Sequence, residues 1–308
     1  MTATLTDSDG NSFRLEPIDC PVCGPGPKKA LGVRGGRFHR YGLGVETPIV
    51  VCRGCGLLFP DPFPYPVNPQ ELYGDPAKYF ERHAEAGHIA LHEAIVKEIV
   101  NRSQVAAPVI LDVGSGRGEL LAAAKKAGLV GVGLELSAAF IDYARDRHGV
   151  EVRRETVESH ASTHANGYDA IAFSAVLEHL YDPAAAIAAA SRLSRPGAVL
   201  YLDLPSEPNL LTRLHRVGAW LSRTNAVLNL SPTFPPYHVF GFNTDSLARL
   251  LSQHGFVVED CRVWAAPEVP SRGGVDAVRA AAASTVNRVA NLIGQGANMF
   301  VWARWVDN

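Results

Sequence analysis

PVILDVGSGRGEL, residues 108–120, is an apolar run of strand type closed by a glycine-rich turn, and LLAAAKKAGL, residues 120–129, follows with good helix formers and a glycine stop. Strand, turn and helix recur outward from it. VGVGLELS (130–137) precedes AAFIDYARDRHG (138–149), YDAIAFSAVLEHL (168–180) precedes DPAAAIAAASRLSR (182–195), and GAVLYLDLP (197–205) closes the series. Each crossover must return over the sheet, so the alternation predicts an α/β fold, a doubly wound and mainly parallel sheet.

On the N-terminal side, residues 1–70 are rich in Gly and Pro and end in FPDPFPYPVNP (59–69), read as a small module with an extended linker. Residues 71–104 read as a helical connector, with Ile89, His92, Ile95, Val96 and Ile99 at spacings of three and four. The sheet domain is placed at 105–308, with an insertion at about 206–242 that covers the sheet's C-terminal edge. Within it LLTRLHRVGAWLSRTNAVL (210–228) reads as helix and SPTFPPYHVFGF (231–242) as loop. TDSLARLLSQHGF and VVEDCRVW then resume helix and strand, residues 271–295 read as one helix, and ANMFVWARWV as a final strand.

The 308 residues carry 29 basic and 31 acidic side chains, a net charge of −2, so bulk charge asks for no nucleic-acid partner. At 47% hydrophobic and 19% charged the chain is globular in composition. No apolar run is long enough to span a bilayer and the N-terminus lacks signal-peptide features, which gives a cytoplasmic expectation with no membrane insertion. The oligomeric state is not readable.

Four of the five cysteines form two knuckles, Cys20-Pro-Val-Cys23-Gly24 and Cys52-Arg-Gly-Cys55-Gly56. Two such knuckles supply four thiolates for a tetrahedral zinc ion; a redox pair or unliganded thiols are the alternatives. A closed four-thiolate site stabilises its module and performs no chemistry. Cys261, in an apolar strand, is expected to be buried.

The turn itself places Gly114, Gly116 and Gly118 where a backbone must bend sharply and let a ligand reach main-chain N–H groups. That spacing departs from the G-x-G-x-x-G of dinucleotide sites. Seventeen positions after Gly118, Glu135 ends the second strand, where a carboxylate either stays solvated or accepts from both hydroxyls of an adenosine ribose. The Asp112-to-Gly118 turn, VGLELS, the segment DAIAFSAVLEHL from Asp169, then Asp182-Pro183 and RPGAVLYLDLP, resemble the S-adenosylmethionine site and following strands of class I methyltransferases over residues 105–265.

The resemblance implies a Rossmann-like methyltransferase fold and assigns roles to residues. The backbone of Gly114, Ser115, Gly116 and Gly118 would lie along the amino-acid moiety of S-adenosylmethionine, and Glu135 would hold the ribose. Asp112 would reach the ammonium through water or tie the loop together. Leu136 would pack on adenine, an adenine acid would fall between Glu155 and Glu158, and Ser174 would neighbour the sulfonium.

Glu178-His179 lies just beyond the fourth strand, and neutral imidazole is available at pH 7 for a general base that Glu178 orients. The plain alternative is a pair capping a helix start. Tyr237-His238, in a proline-stiffened loop, is the second candidate pair, against a packed aromatic loop. His83, His88 and His92 read as helix-surface residues.

Cysteine knuckles ahead of such a domain are similar to the sugar C-methyltransferases and to related bacterial methyltransferases of cell-surface or secondary-metabolite synthesis. Those sugar enzymes carry a tyrosine two residues before the Glu-His pair, whereas Val176 stands here. The reading is methyl transfer to a small polar acceptor, a sugar or secondary-metabolite intermediate. Two alternatives stand beside it: an RNA or protein methyltransferase using the zinc module, with Lys28, Lys29, Arg34, Arg37, Arg40 and Arg53, as a reader, and a non-catalytic binding protein on the same fold.

Overall fold

Six short strands open the chain: β1 (Ala3–Thr6), β2 (Ser12–Glu16), β3 (Lys28–Arg34), β4 (Thr47–Cys52), β5 (Leu58–Pro60) and β6 (Phe63–Pro66). They pair as two three-stranded sheets, in the orders β1-β2-β6 and β3-β4-β5. The proline-rich run expected to be a linker therefore supplies β5 and β6. Both are edge strands, where a residue without an N–H costs no ladder bond and the proline φ suits extended backbone. The computed structural model describes residues 3–68, 85–266 and 275–307.

Two units emerge. One joins residues 1–69 to 204–249 and 261–300; the other joins 70–203, 250–260 and 301–308. In the first, the segment after Pro205 is bonded to the N-terminal strands. Val33 donates to Asn225 O at 2.8 Å and accepts from Val227 N at 3.1 Å, and Leu58 exchanges two backbone bonds with Gly241. Gly32 permits this approach, because a Cβ there would sit 2.2 Å from Asn225 O. Ile49, Leu58, Val227 and Leu230 form the apolar cluster beneath.

Among the described residues the α-helices are α1 (Glu85–Arg102), α2 (Glu119–Lys126), α3 (Ala138–His148), α4 (Val157–Thr163), α5 (Pro183–Leu193), α6 (Leu210–Leu221), α7 (Thr244–Ser252) and α8 (Val275–Leu292). The helix expected over 210–228 thus stops at Leu221: Arg223 turns to φ 55° and residues 225–227 bond the edge of β3 instead of continuing the spiral. Of the 71–104 connector and the 271–295 helix, residues 71–84 and 271–274 lie outside the described residues, as do His83 and the side chain of His88. His92 is half-buried on α1.

Strands β7 (Ile110–Val113), β8 (Gly131–Leu134), β9 (Glu151–Arg153), β10 (Tyr168–Ser174), β11 (Ser194–Pro205), β12 (Phe256–Trp264) and β13 (Asn298–Trp305) form one sheet. Its order is β12-β13-β11-β10-β7-β8-β9, and the pairs from β11 through β9 are parallel. This is the doubly wound sheet expected. β7 and β10 are buried along nearly their whole length, which explains why their sequences are apolar apart from Asp112, Asp169 and the terminal Ser174. α5 begins on the Asp182 carboxylate, which accepts from Ala185 N at 2.9 Å with Pro183 in the first turn, and its alanines pack closely because they carry little volume. Cys261 is exposed, not buried as expected: β12 is the sheet's edge strand, and its outer face is uncovered at that point.

The chain runs outward from β7 to β8 and β9, then returns to place β10 on the other side of β7. That reversal opens a crevice above the C-terminal ends of β7 and β10, the place where open α/β sheets take ligands.

Candidate functional site at the sheet switch point

The three glycines of the turn have different tasks. At Gly114, φ 66°, a Cβ would lie 2.5 Å from Val176 Cγ2, and at Gly118, φ 77°, it would meet Ala144 and Val150 at 2.9 and 3.0 Å. Both are packing requirements with a left-handed backbone. Gly116, φ 52°, has nothing within 4 Å of where a Cβ would stand, so the backbone there faces open space. Ser115 N donates to Leu134 O at 3.0 Å, while its Oγ is buried without a hydrogen-bond partner.

Glu135 closes the turn from the neighbouring strand. One carboxylate oxygen accepts from Gly116 N at 3.0 Å, and the other from Leu136 N at 2.7 Å and Ser137 N at 2.8 Å. The half-buried carboxylate is thereby fixed beside the open face of the glycine turn, and Leu136 next to it is 58% exposed. A strand-end acid, a turn whose backbone at Gly116 faces open space, an orphaned hydroxyl and an exposed leucine fit a ribose, an amino-acid moiety and an adenine.

Asp112 lies beneath, 3% exposed, and burial with the nearby Glu119 and Glu135 charges pushes its carboxyl up to about 8. Arg117 does not offset it, since its guanidinium is taken by Glu119 at 2.7 Å. Ser174, half-buried, ends β10 directly opposite Asp203 of β11. Burial pushes Asp203 up to about 6. Glu178 is buried in the 3-10 turn Leu177–His179, and burial raises it to about 8. Its carboxylate lies 3.8 Å from His179 Nε2, an ion-pair distance and not a hydrogen bond.

These raised carboxyls set a pH dependence. Each holds its proton more tightly folded than unfolded, so its contribution to stability is complete below about pH 4 and is lost as pH rises through the folded value. The melting temperature of the ligand-free protein is expected to fall between pH 5 and 8. Asp112→Asn should remove about one proton's share of that slope, at most about 1.4 kcal/mol per pH unit. A variant with an unchanged slope would show that Asp112 does not titrate there.

The Glu155 carboxylate accepts from His160 Nδ1 at 2.9 Å, and His160 Nε2 meets Tyr168 OH at 2.8 Å in the interior. That engagement leaves Glu158, in the first turn of α4, as the less committed of the two candidate adenine acids. Tyr237 and His238 belong to the other unit. Tyr237 is buried at φ 64°, and burial raises its phenol to about 12; His238 N donates to Ser231 Oγ at 3.2 Å. Asp203 is the group the sequence analysis passes over. Its signal was the one that marks Glu135, a carboxylate ending an apolar strand.

The four knuckle cysteines converge in the N-terminal unit. Their sulfurs all lie within 4.8 Å of one another, with Cys20 Sγ and Cys55 Sγ 3.7 Å apart. A tetrahedron with Zn–S bonds of about 2.3 Å has S–S edges of about 3.8 Å, so the cluster fits that ion. Gly24 and Gly56 follow the second cysteines at φ 72° and 76°, the left-handed turn each knuckle needs. Cys23 N points at Cys20 Sγ at 3.5 Å and Gly54 N at Cys52 Sγ at 3.3 Å. The Cys55 thiol bonded to Cys20 pulls the latter down to about 5, and the same bond pushes Cys55 up.

Residues 82–260 match the family described as a methyltransferase domain. Among curated proteins, the ubiquinone biosynthesis O-methyltransferase of Hahella chejuensis is 37% identical over 100 residues, 30% of this chain and 42% of that protein. That of Saccharophagus degradans is 33% identical over 110 residues, 34% and 47% of the two. The chain spans less than half the length of these relatives. A chain in the complex between the Haloferax volcanii Trm112 methyltransferase activator and a methyltransferase has a TM-score of 0.50 at 14% identity, over 72% of this chain and 92% of that one, a likeness of fold.

Proposed function

The chain belongs to the methyltransferase-domain family, and we propose that it moves the methyl group of S-adenosylmethionine to a hydroxyl of a small polar acceptor, a sugar or secondary-metabolite intermediate. The observation that carries the reading is the Glu135 carboxylate bonded to Gly116 N beside the unshielded face of the glycine turn. Glu135 holds the ribose hydroxyls, the backbone of Gly114 to Gly118 the amino-acid moiety, and Leu136 covers the adenine. Asp112 answers the ammonium, and Ser174 borders the sulfonium. That two similar proteins bear the name O-methyltransferase favours oxygen as the acceptor atom.

S-adenosylmethionine supplies a methyl carbon already made electrophilic by its sulfonium. What remains for the protein is to hold the acceptor in line, exclude water and accept the hydroxyl proton. His179 and His238 are the proposed bases. His179→Ala and His238→Ala should each be assayed for turnover and for cofactor affinity. The residue that takes the proton should lose about 10²- to 10⁴-fold in kcat with its cofactor affinity unchanged. Wild-type turnover in both would remove the histidine-base mechanism.

Cys20, Cys23, Cys52 and Cys55 are proposed to hold one structural zinc ion. All four positions of a tetrahedral ion are filled by protein sulfur, so the metal organises the N-terminal unit and has no open position for chemistry.

A further inference from the structure

Helix α6 is built the wrong way round for a soluble surface helix. At about 100° per residue, Leu214, Val217 and Leu221 fall within about 60° of one another, with Leu211 and Trp220 at the two edges of the same arc. An apolar arc of this kind ordinarily faces a core. Here it faces outward: Trp220 is 75% exposed and Leu221 68%, with Leu211, Leu214 and Val217 each exposed as well. The buried positions are Thr212 and Ala219, on the opposite side.

The polar cap holds this orientation. Asn209 accepts from Thr212 N at 3.0 Å and its own N–H donates to Thr212 Oγ1 at 3.0 Å, a closed capping box, and Thr212 Oγ1 reaches the buried Glu207 at 3.2 Å. Leu210 N donates to Gln295 O at 3.0 Å, which sets the start of α6 against the end of α8. There Leu292 is 86% exposed, with Val289 and Ile293 exposed beside it. Large apolar side chains are thus exposed on two touching helices.

Charge identifies what covers it. From Pro208 to Thr244 the sequence contains no Asp or Glu; on α6 Arg213 lies inside the arc beside Trp220, Arg216 just beyond that edge and His215 beyond the Leu211 edge, Arg223 follows the helix, and Arg288 adjoins Val289 on α8. An apolar arc with Trp and Leu, edged by arginine on one side and histidine on the other with no carboxylate between them, is the composition of a helix that lies in the plane of an anionic membrane surface. A symmetric pairing with a second copy would set these arginines against their own counterparts, with no carboxylate on the helix to answer them. No described helix is long and apolar enough to cross a membrane, so the contact is interfacial.

We propose that α6, with the end of α8, docks the protein on an anionic lipid surface. The proposal rests on the helix face and is independent of methyl transfer. Its test is flotation of the full chain with vesicles of phosphatidylcholine containing 30% phosphatidylglycerol, against phosphatidylcholine alone. Binding to the anionic vesicles is expected, at least about tenfold weaker on neutral ones and reduced by raised salt.

Trp220→Glu with Leu221→Glu should lose binding at least about tenfold and keep the wild-type melting temperature. In the unaltered protein, brominated lipid should quench fluorescence by a share that Trp220→Phe abolishes, a readout that needs no destabilising change. Three results would overturn the proposal: no binding to anionic vesicles, equal binding by the double variant, or a lipid-free dimer in sedimentation velocity that the double variant dissolves. The last assigns the face to a second copy.

Discussion

Glu135→Ala is expected to weaken binding of S-adenosylhomocysteine by about a hundredfold or more, measured by calorimetric titration, while leaving the protein folded. The expectation combines two energies. A carboxylate that accepts from both ribose hydroxyls makes two charge-assisted bonds, each contributing about 1.5–3 kcal/mol, which together correspond to at least about 10²-fold in affinity. The structural share is smaller. Gly116, Leu136 and Ser137 lose the oxygens that receive their N–H groups, but the site is half-buried and water replaces them at modest cost.

Glu135→Gln keeps one acceptor oxygen and should fall between the two, at about tenfold. An affinity for Glu135→Ala within threefold of wild type would mean that the carboxylate only ties the glycine turn to its strand. The assignment of the crevice to an adenosyl ligand would fall with it.

The sheet was legible because its local signals are redundant. β7, β8 and β10 are largely apolar runs closed by Gly114, Glu135 and Ser174, and parallel strands buried on both faces leave no other reading of such runs. The N-terminal strands were not legible for the opposite reason. β5 and β6 are edge strands made largely of Phe and Pro, and nothing local separates an edge strand from an extended tether until its partner is known.

Long-range bonding also decided where the predicted 210–228 helix ended. Residues 222–228 carry no Gly or Pro to break a helix, and the backbone bonds of Val33 with Asn225 and Val227, together with the Arg34 guanidinium on Val227 O, draw them away. In the site, Glu135 was found from its position at a strand end. Its bond to Gly116 N was not, because that contact depends on the relative stagger of β7 and β8. Cys261 shows the same limit: an apolar strand sequence is silent on whether a neighbouring element covers its outer face.

Replacing Cys52 by serine should reduce zinc from one ion per chain to a small fraction of that, read by atomic absorption, and lower the melting temperature by roughly 10–20 °C. Cys52 occupies a structural junction: it is the last residue of β4, is paired with Lys28 of β3, and donates its N–H to Leu57 O across the second knuckle. The carbonyl of Cys55, three residues on, accepts from Asn243 Nδ2 at 3.3 Å at the head of α7. A metal bridging the two knuckles would therefore fix β3, β4 and the following segment together.

Removing one ligand leaves three thiols gathered within 4.8 Å with nothing to hold them, two of them buried. The melting shift quoted corresponds to about 5 kcal/mol, well below the apparent 10–16 kcal/mol of zinc-finger peptides, because strand pairing and the Ile49–Leu58 cluster persist without the ion. Cys261→Ser supplies the control, since that thiol is exposed on the edge strand and lies outside the cluster. It should change neither zinc content nor melting. Wild-type protein that carries no zinc, and whose melting is indifferent to a strong chelator, would refute the metal site; two disulfides found under non-reducing conditions would put a redox pair in its place.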